Sequence, residues 1–194
     1  VMGYEGHAVM IRDLAEREGV VHEAMGLLTD TADQIRAAGI PVKIVSAAGT
    51  GTYAITAKVP GVTELQAGSY ITMDVRYHDE VGIDEFGCGL TLVASVIHVR
   101  DSHAVIDAGL KCLTSEFGLP KVLNAPGWEL ASLSEEHGKL VPAGGAPAPL
   151  KVGDQIELVP THGCTTINLH DEYHVMRDGV LEAIWPIAGR GKTA

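Results

Sequence analysis

His162 and Cys164 are the residues of this sequence whose types and spacing best suit chemistry. They lie in Pro160-Thr161-His162-Gly163-Cys164, directly after the apolar run Gln155–Val159. On a strand, residues i and i+2 project to the same face, so an extended path through this segment presents an imidazole nitrogen and a thiolate to one ion. That donor pair suits zinc better than magnesium or calcium, which prefer oxygen. Two protein ligands leave coordination positions open for water or substrate. The same spacing also describes a partly buried histidine beside a buried cysteine, and spacing leaves both readings open. His170 and His174 extend the pattern to H-x-C-x5-H-x3-H, but the C-x2-4-C half of a zinc finger is missing. A closed four-ligand site is therefore not expected.

A second segment, Gly49-Thr50-Gly51-Thr52, combines glycines, which let backbone N–H groups approach an anion, with hydroxyl donors. At the C-terminal end of a late barrel strand such a loop is a phosphate site; elsewhere it is only a turn. It lacks the Gly-Lys-Ser/Thr ending of a P-loop. A third segment, Gly3-Tyr4-Glu5-Gly6-His7, offers Tyr4 and His7 as groups that could line an active site at a strand end, or as surface residues of an ordinary loop.

The elements that must position these residues follow from periodicity. Val21, Met25, Leu28, Ala32 and Ile35 place one apolar stripe on a helix running through Val21 to Ala38. Gly39 ends it and Pro41 prevents its continuation. Val42-Lys43-Ile44-Val45 reads as a short buried parallel strand feeding the glycine-rich turn. Helix, strand, turn is α/β rhythm. From Asp74 the rhythm changes to strand-like runs at Leu90–His98, Ala104–Ile106, Gln155–Val159, Tyr173–Met176 and Val180–Ile187, the last two joined by a turn at Arg177-Asp178-Gly179. Gly144–Pro149 is too rich in Pro and Gly to be anything but loop. The expected fold class is α/β plus β: an α/β part over residues 1–73 and a mostly antiparallel β part over 74–194.

A formal charge of −11 with no Lys/Arg cluster argues against nucleic acid and against an anionic membrane as partners. No run of about 18 apolar residues suggests a membrane span. Three cysteines without framework spacing point to a reducing, cytoplasmic setting and no structural disulfide. An apolar fraction of 46%, spread along the chain, supports a packed core. The opening Val1-Met2-Gly3-Tyr4 reads as a chain entered midway.

Taken in order, GYEGH, SAAGTGTY, TELQAGSYITMD, VIDAGLK, SEEHG, GDQIELVPTHGCTTINLHDEY and WPIAGRGK resemble the D-threonine aldolase and D-serine dehydratase-like family of fold-type III pyridoxal phosphate enzymes. The resemblance implies the C-terminal part of a (β/α)8 cofactor barrel, then a β-rich metal-binding domain. It implies pyridoxal 5'-phosphate and Zn2+, or Mn2+ or another divalent ion, as cofactors. His162 and Cys164 would be the metal ligands, Gly49, Thr50, Gly51 and Thr52 would hold the cofactor phosphate, and Tyr4 and His7 would lie by cofactor and substrate. Asp107 would organise the β domain, and His137 would lie near the active-site mouth.

The implied activity is that of a lyase on D-configured β-hydroxy amino acids, either dehydrating D-serine or cleaving D-threonine in a retro-aldol reaction. The His/Cys pair inclines toward zinc and dehydration. A homodimer is implied for the intact enzyme. The family's Schiff-base lysine belongs to a segment that would precede Val1, and none of the seven lysines here stands in its context. The chain is therefore expected to be inactive alone. The alternative expectation is a non-catalytic metal- or ligand-binding β module derived from the family.

Overall fold

In the computed structural model, residues 1–144 and 146–192 are described, and they fall into two compact units, Val1–Gly87 and Cys88–Ala194. The first unit is built on helix α1 (Leu14–Ala37). It begins seven residues before the stripe that announces it because Asp13 caps it, its Oδ1 accepting from the Glu16 N–H at 2.8 Å. Val21, Met25, Leu28 and Ala32 are buried on one face against Ala8, Val45, Ala47 and Ile55. The helix ends where Gly39 adopts φ 82°, a left-handed conformation that glycine takes without a Cβ penalty.

Strand β1 (Ser46–Ala47) pairs in parallel with β2 (Glu64–Leu65), and Met2 bridges to Ser46 on its other side, also in parallel. The strand expected at Val42–Val45 is thus displaced toward the turn. Extended pairing is made only where Met2 and Glu64 run alongside, while Ile44 is left exposed. Beyond β1 the chain turns through Gly49–Thr52 into the short helix α2 (Tyr53–Thr56).

The two units divide at Gly87/Cys88, 14 residues beyond the position 73/74 that the change of rhythm suggests. Residues 74–87 fold with the first unit for identifiable reasons. Asp74 Oδ1 accepts from the Tyr77 N–H at 3.0 Å to start a π-helical turn over Arg76–Glu80. Val81 is buried, and its carbonyl lies 3.4 Å from Nη1 of the buried Arg17 on α1.

The second unit is a six-stranded antiparallel sheet. Its strands are β3 (Leu92–Arg100), β4 (His103–Ile106), β5 (Lys121–Val122), β6 (Trp128–Leu133), β7 (Gly138–Pro142) and β8 (Gln155–Val159), in spatial order β5-β8-β3-β4-β7-β6. The edge strands β5 and β6 contact one another, so the sheet nearly closes on itself. Register puts buried residues opposite each other: Ala94 faces Ile156, Val96 faces Ile106 and Ala104 faces Leu140. With Leu113, Trp128, Leu130 and Leu158 they form the core. Trp128 Nε1 donates to the Ala148 carbonyl at 2.7 Å, which satisfies the one polar atom this side chain brings inside.

Asp107, which follows β4, reaches back to β3. Its Oδ1 accepts from the Ser95 N–H at 2.6 Å. SEEHG forms the turn between β6 and β7, where the Ser134 N–H donates to the His137 carbonyl at 2.8 Å. This turn lies so close to Gly109 that a Cβ there would stand 2.4 Å from the Ser134 carbonyl oxygen.

After β8 come helix α3 (Gly163–Ile167) and a separate hairpin of β9 (Glu172–Arg177) and β10 (Val180–Pro186). Its turn residues Asp178 and Gly179 both have positive φ, 50° and 77°, as a two-residue hairpin turn requires. Residues 144 and 146–149 of the Pro/Gly-rich stretch carry no regular structure, and Gly145 lies outside the described residues. Among the described residues no helix is long and apolar enough to cross a membrane.

Candidate functional site

In the second unit, the chain leaving β8 is tethered by Thr161. Its hydroxyl is 3.1 Å from the carbonyl oxygens of both Glu116 and Gly118. The strand does not continue through His162 and Cys164 as the i, i+2 argument required. His162 is the last extended residue (φ −141°, ψ 113°) and caps α3, and Cys164 stands in the first turn of that helix. The two residues therefore sit on a strand-to-helix turn and not in alternation along a strand.

His162 Nδ1 is 2.9 Å from Glu116 Oε2. A carboxylate only accepts, so Nδ1 donates to it, and in the neutral ring Nε2 then keeps its lone pair for an ion. The ring is further held by Phe117, with centroids 5.3 Å apart. Phe117 is in a left-handed conformation (φ 67°) immediately before Gly118 (φ 124°), so the Glu116–Gly118 bend that grips His162 is strained. Cys164 is exposed and free. A neutral imidazole held this way and an accessible thiol two residues on are a donor set that fits zinc.

His170 and His174 are engaged elsewhere. His170 Nε2 donates to the Cys112 carbonyl at 2.8 Å, and His174 Nε2 pairs with Glu172 at 3.0 Å. Among the described residues, no three His, Cys, Asp or Glu side chains converge into a metal cage, so His162 and Cys164 would bind as an open pair.

Cys164 borders a cavity of about 390 Å³ whose polar lining comes from Asn168, Tyr173 and Arg190. Arg190 pairs with Asp171 at 3.0 Å, and Asn168 Oδ1 accepts from the Gly191 N–H at 2.8 Å, folding the WPIAGRGK segment over α3. Burial pushes the Tyr173 phenol above its ordinary pKa, and the nearby Cys164 charge adds to this. Cys112 is different: burial raises its pKa from 9.0, and its thiol donates to the Gly109 carbonyl at 3.3 Å. A raised pKa means less thiolate at a given pH, and thiolate is the reactive form. Iodoacetamide at pH 8 is thus expected to label Cys112 more slowly in the folded chain than in urea. The folded-state rate should keep climbing as pH passes 9, which peptide mapping checks.

In the first unit, the Gly49–Thr52 turn is buried throughout. Thr52 closes it internally, its Oγ1 accepting from the Gly49 N–H at 3.1 Å. The N–H groups of Thr52 and Tyr53 both return to the Gly49 carbonyl, and Thr50 Oγ1 accepts from the Tyr70 N–H at 3.0 Å. The groups of this turn that remain for an anion are therefore the amides of Thr50 and Gly51 and the Thr50 hydroxyl proton. Gly51 has no room for a side chain, since a Cβ would stand 2.1 Å from the Val9 carbonyl oxygen.

Tyr4 lies against this turn: a Cβ on Gly49 would stand 3.1 Å from the Tyr4 hydroxyl oxygen. Burial raises the Tyr4 pKa, with the Glu5 charge adding to it. His7 is exposed on the turn that follows. The structure thus joins Tyr4 to the glycine-threonine turn, and separately joins His162 to Glu116. Sequence reasoning missed Glu116, whose only local signal is the Phe-Gly that bends the chain after it. It also assigned no role to Glu5, although the GYEGH segment contains it.

Short parallel strands around a helix, followed by a nearly closed antiparallel sheet, define the class. This is the C-terminal part of an alanine-racemase-like barrel fold with its β domain. Residues 89–176 match the family described as "Putative serine dehydratase domain". The chain is 34% identical to the 3-hydroxy-D-aspartate aldolase of Paracoccus denitrificans, over 99% of this chain and 51% of the aldolase. It superposes on the crystal structure of D-threonine aldolase from Filomicrobium marinum with a TM-score of 0.90 and 31% identity, covering 98% of this chain and 52% of that one. It is 30% identical to the D-threo-3-hydroxyaspartate dehydratase of Delftia sp., over 80% of this chain and 45% of the dehydratase. The chain belongs to the D-threonine aldolase and D-serine dehydratase-like family and corresponds to its C-terminal part. It spans about half the length of the curated relatives it matches.

Proposed function

We propose that this chain forms the metal-binding half of a pyridoxal phosphate- and zinc-dependent lyase acting on D-configured β-hydroxy amino acids, working as a homodimer. The observation that carries the reading is the oriented imidazole: Glu116 accepts from His162 Nδ1, so that in the neutral ring Nε2 is the nitrogen available to an ion, in the turn that also carries Cys164. A solved D-threo-3-hydroxyaspartate dehydratase in which a cysteine is replaced by alanine is in a metal-free form, and another carries alanine for a histidine two positions earlier. The same His-x-Cys spacing stands here at His162 and Cys164.

In this reading His162 and Cys164 hold the ion, which when bound supplies a Lewis acid for the substrate's β-hydroxyl. The Thr50 and Gly51 amides, with the Thr50 hydroxyl, hold the phosphate of the cofactor, which when bound supplies an electron sink for the substrate's Cα. Thr52 serves the turn itself by closing it. Tyr4, packed against the turn, and His7 face cofactor and substrate and move protons there. The same constellation serves two outcomes. Loss of the β-hydroxyl leads to a keto acid and ammonia, and Cα–Cβ cleavage leads to glycine and an aldehyde.

The test is to supply the intact enzyme, of which this chain is the proposed half, with pyridoxal phosphate and offer D-threonine, D-serine and D-threo-3-hydroxyaspartate before and after chelation. Loss of turnover on chelation and its return with zinc are the expected results, and the products tell aldolase from dehydratase. Turnover that survives with no bound metal would sink the assignment. Glu116→Gln isolates the orienting group. Outer-shell partners are worth roughly 10–100-fold in metal affinity, so zinc binding is expected to weaken by about that factor in a competition titration.

A further inference from the structure

Glu5 is fully buried, yet among the described residues it has no ion-pair partner. A buried carboxylate is costly unless hydrogen bonds compensate it, and here both of its oxygens are engaged. Oε1 accepts from Thr56 Oγ1 at 2.6 Å and Oε2 accepts from the Ala48 N–H at 3.2 Å. Ala48 precedes Gly49, and Thr56 is the last residue of α2, so one side chain grips both ends of the segment that contains the Gly49–Thr52 turn.

Ala48 is itself unusual. It is buried with φ 77°, a left-handed conformation that costs a residue with a Cβ roughly 1–2 kcal/mol. Nothing in its own sequence favours that conformation, so neighbouring structure must impose it. The residues around Glu5 complete the mould, because Tyr4 lies on Gly49 and the Val9 backbone lies against Gly51.

We infer that Glu5 is a positioning residue that holds Ala48 in its left-handed conformation and thereby sets the shape of the Gly49–Thr52 turn. Its consequence for cofactor binding rests on the proposal that this turn holds the phosphate. Glu5 acts through the Ala48 amide, not by contact with the ligand.

The test uses Glu5→Gln, which keeps the volume but removes one of the two carboxylate acceptors, together with Ala48→Gly, which removes the left-handed penalty. Amide hydrogen exchange over residues 46–56, without ligand, is expected to accelerate about tenfold in Glu5→Gln, the scale of one hydrogen bond to a charged acceptor. Binding of pyridoxal 5'-phosphate, followed by equilibrium dialysis, is expected to weaken by a similar factor. Adding Ala48→Gly to Glu5→Gln should restore most of both, which a merely space-filling role for Glu5 would not allow.

Unchanged exchange in Glu5→Gln, or no rescue by Ala48→Gly, overturns the inference. If Glu5→Gln does not fold, Thr56→Val removes a single bond to the same carboxylate and must accelerate the same amides. If exchange and rescue behave as expected while neither pyridoxal phosphate nor inorganic phosphate binds the unsubstituted chain, the positioning role stands and the phosphate assignment falls.

Discussion

Replacing Cys164 with alanine is expected to cost the chain more than about 100-fold in zinc affinity. Even an outer-shell partner of a metal ligand is worth roughly 10–100-fold, and Cys164 would be one of only two ligands. The thiol it loses is the softer donor, the one that distinguishes zinc from magnesium or calcium at this site. The surrounding structure should tolerate the change, because Cys164 is exposed and does not contribute to the core cluster. Cys112→Ala is the matched control. Its thiol is partly buried and donates to the Gly109 carbonyl, so zinc stoichiometry should not move. Competition titration with a chromophoric chelator reads both variants. Full-affinity zinc binding by Cys164→Ala would remove this residue from the site.

Gly51→Ala is expected to be the most damaging single substitution in the first unit, costing about 3 kcal/mol or more. The methyl group would be placed 2.1 Å from the Val9 carbonyl oxygen, and that neighbour is backbone, so it cannot rotate aside. Overpacking a tight site costs typically about 1–3 kcal/mol even when side chains can adjust. The same substitution at Gly19, in α1 with nothing within 4 Å of its would-be Cβ, should stabilise by about 0.5–1 kcal/mol through helix propensity. Urea denaturation followed by circular dichroism compares the two. If Gly51→Ala unfolds no earlier than the parent chain, then the Val9 segment can move away from the turn, and the mould described for Glu5 is not rigid.

Much of the architecture was legible locally. The stripe Val21, Met25, Leu28, Ala32 lies on the buried face of α1, because a period near 3.6 leaves a helix one face to bury. Gln155–Val159 is β8, and Asp178-Gly179 turns a hairpin because both residues tolerate positive φ. Strands β5, β6 and β7 were not read. The charged SEEHG turn and the glycines and prolines around them interrupt any alternation, and their pairing is settled by partners such as Leu140 opposite Ala104, far away in sequence.

The sequence by itself determined which residues could do chemistry, because side-chain type alone decides that an imidazole and a thiol suit zinc. It determined the family as well, through seven short segments in order. Tertiary structure decided how those residues are held. His162 stands at a helix cap and Cys164 in the first turn behind it, not along a strand. The carboxylate that orients His162 comes from 46 residues earlier, and the one that grips Ala48 comes from 43 residues earlier. Local periodicity records only whether a position faces the core. Which carboxylate finds which amide across such distances depends on strand register and on backbone strain at Ala48 and Phe117, and these exist only once the chain has folded.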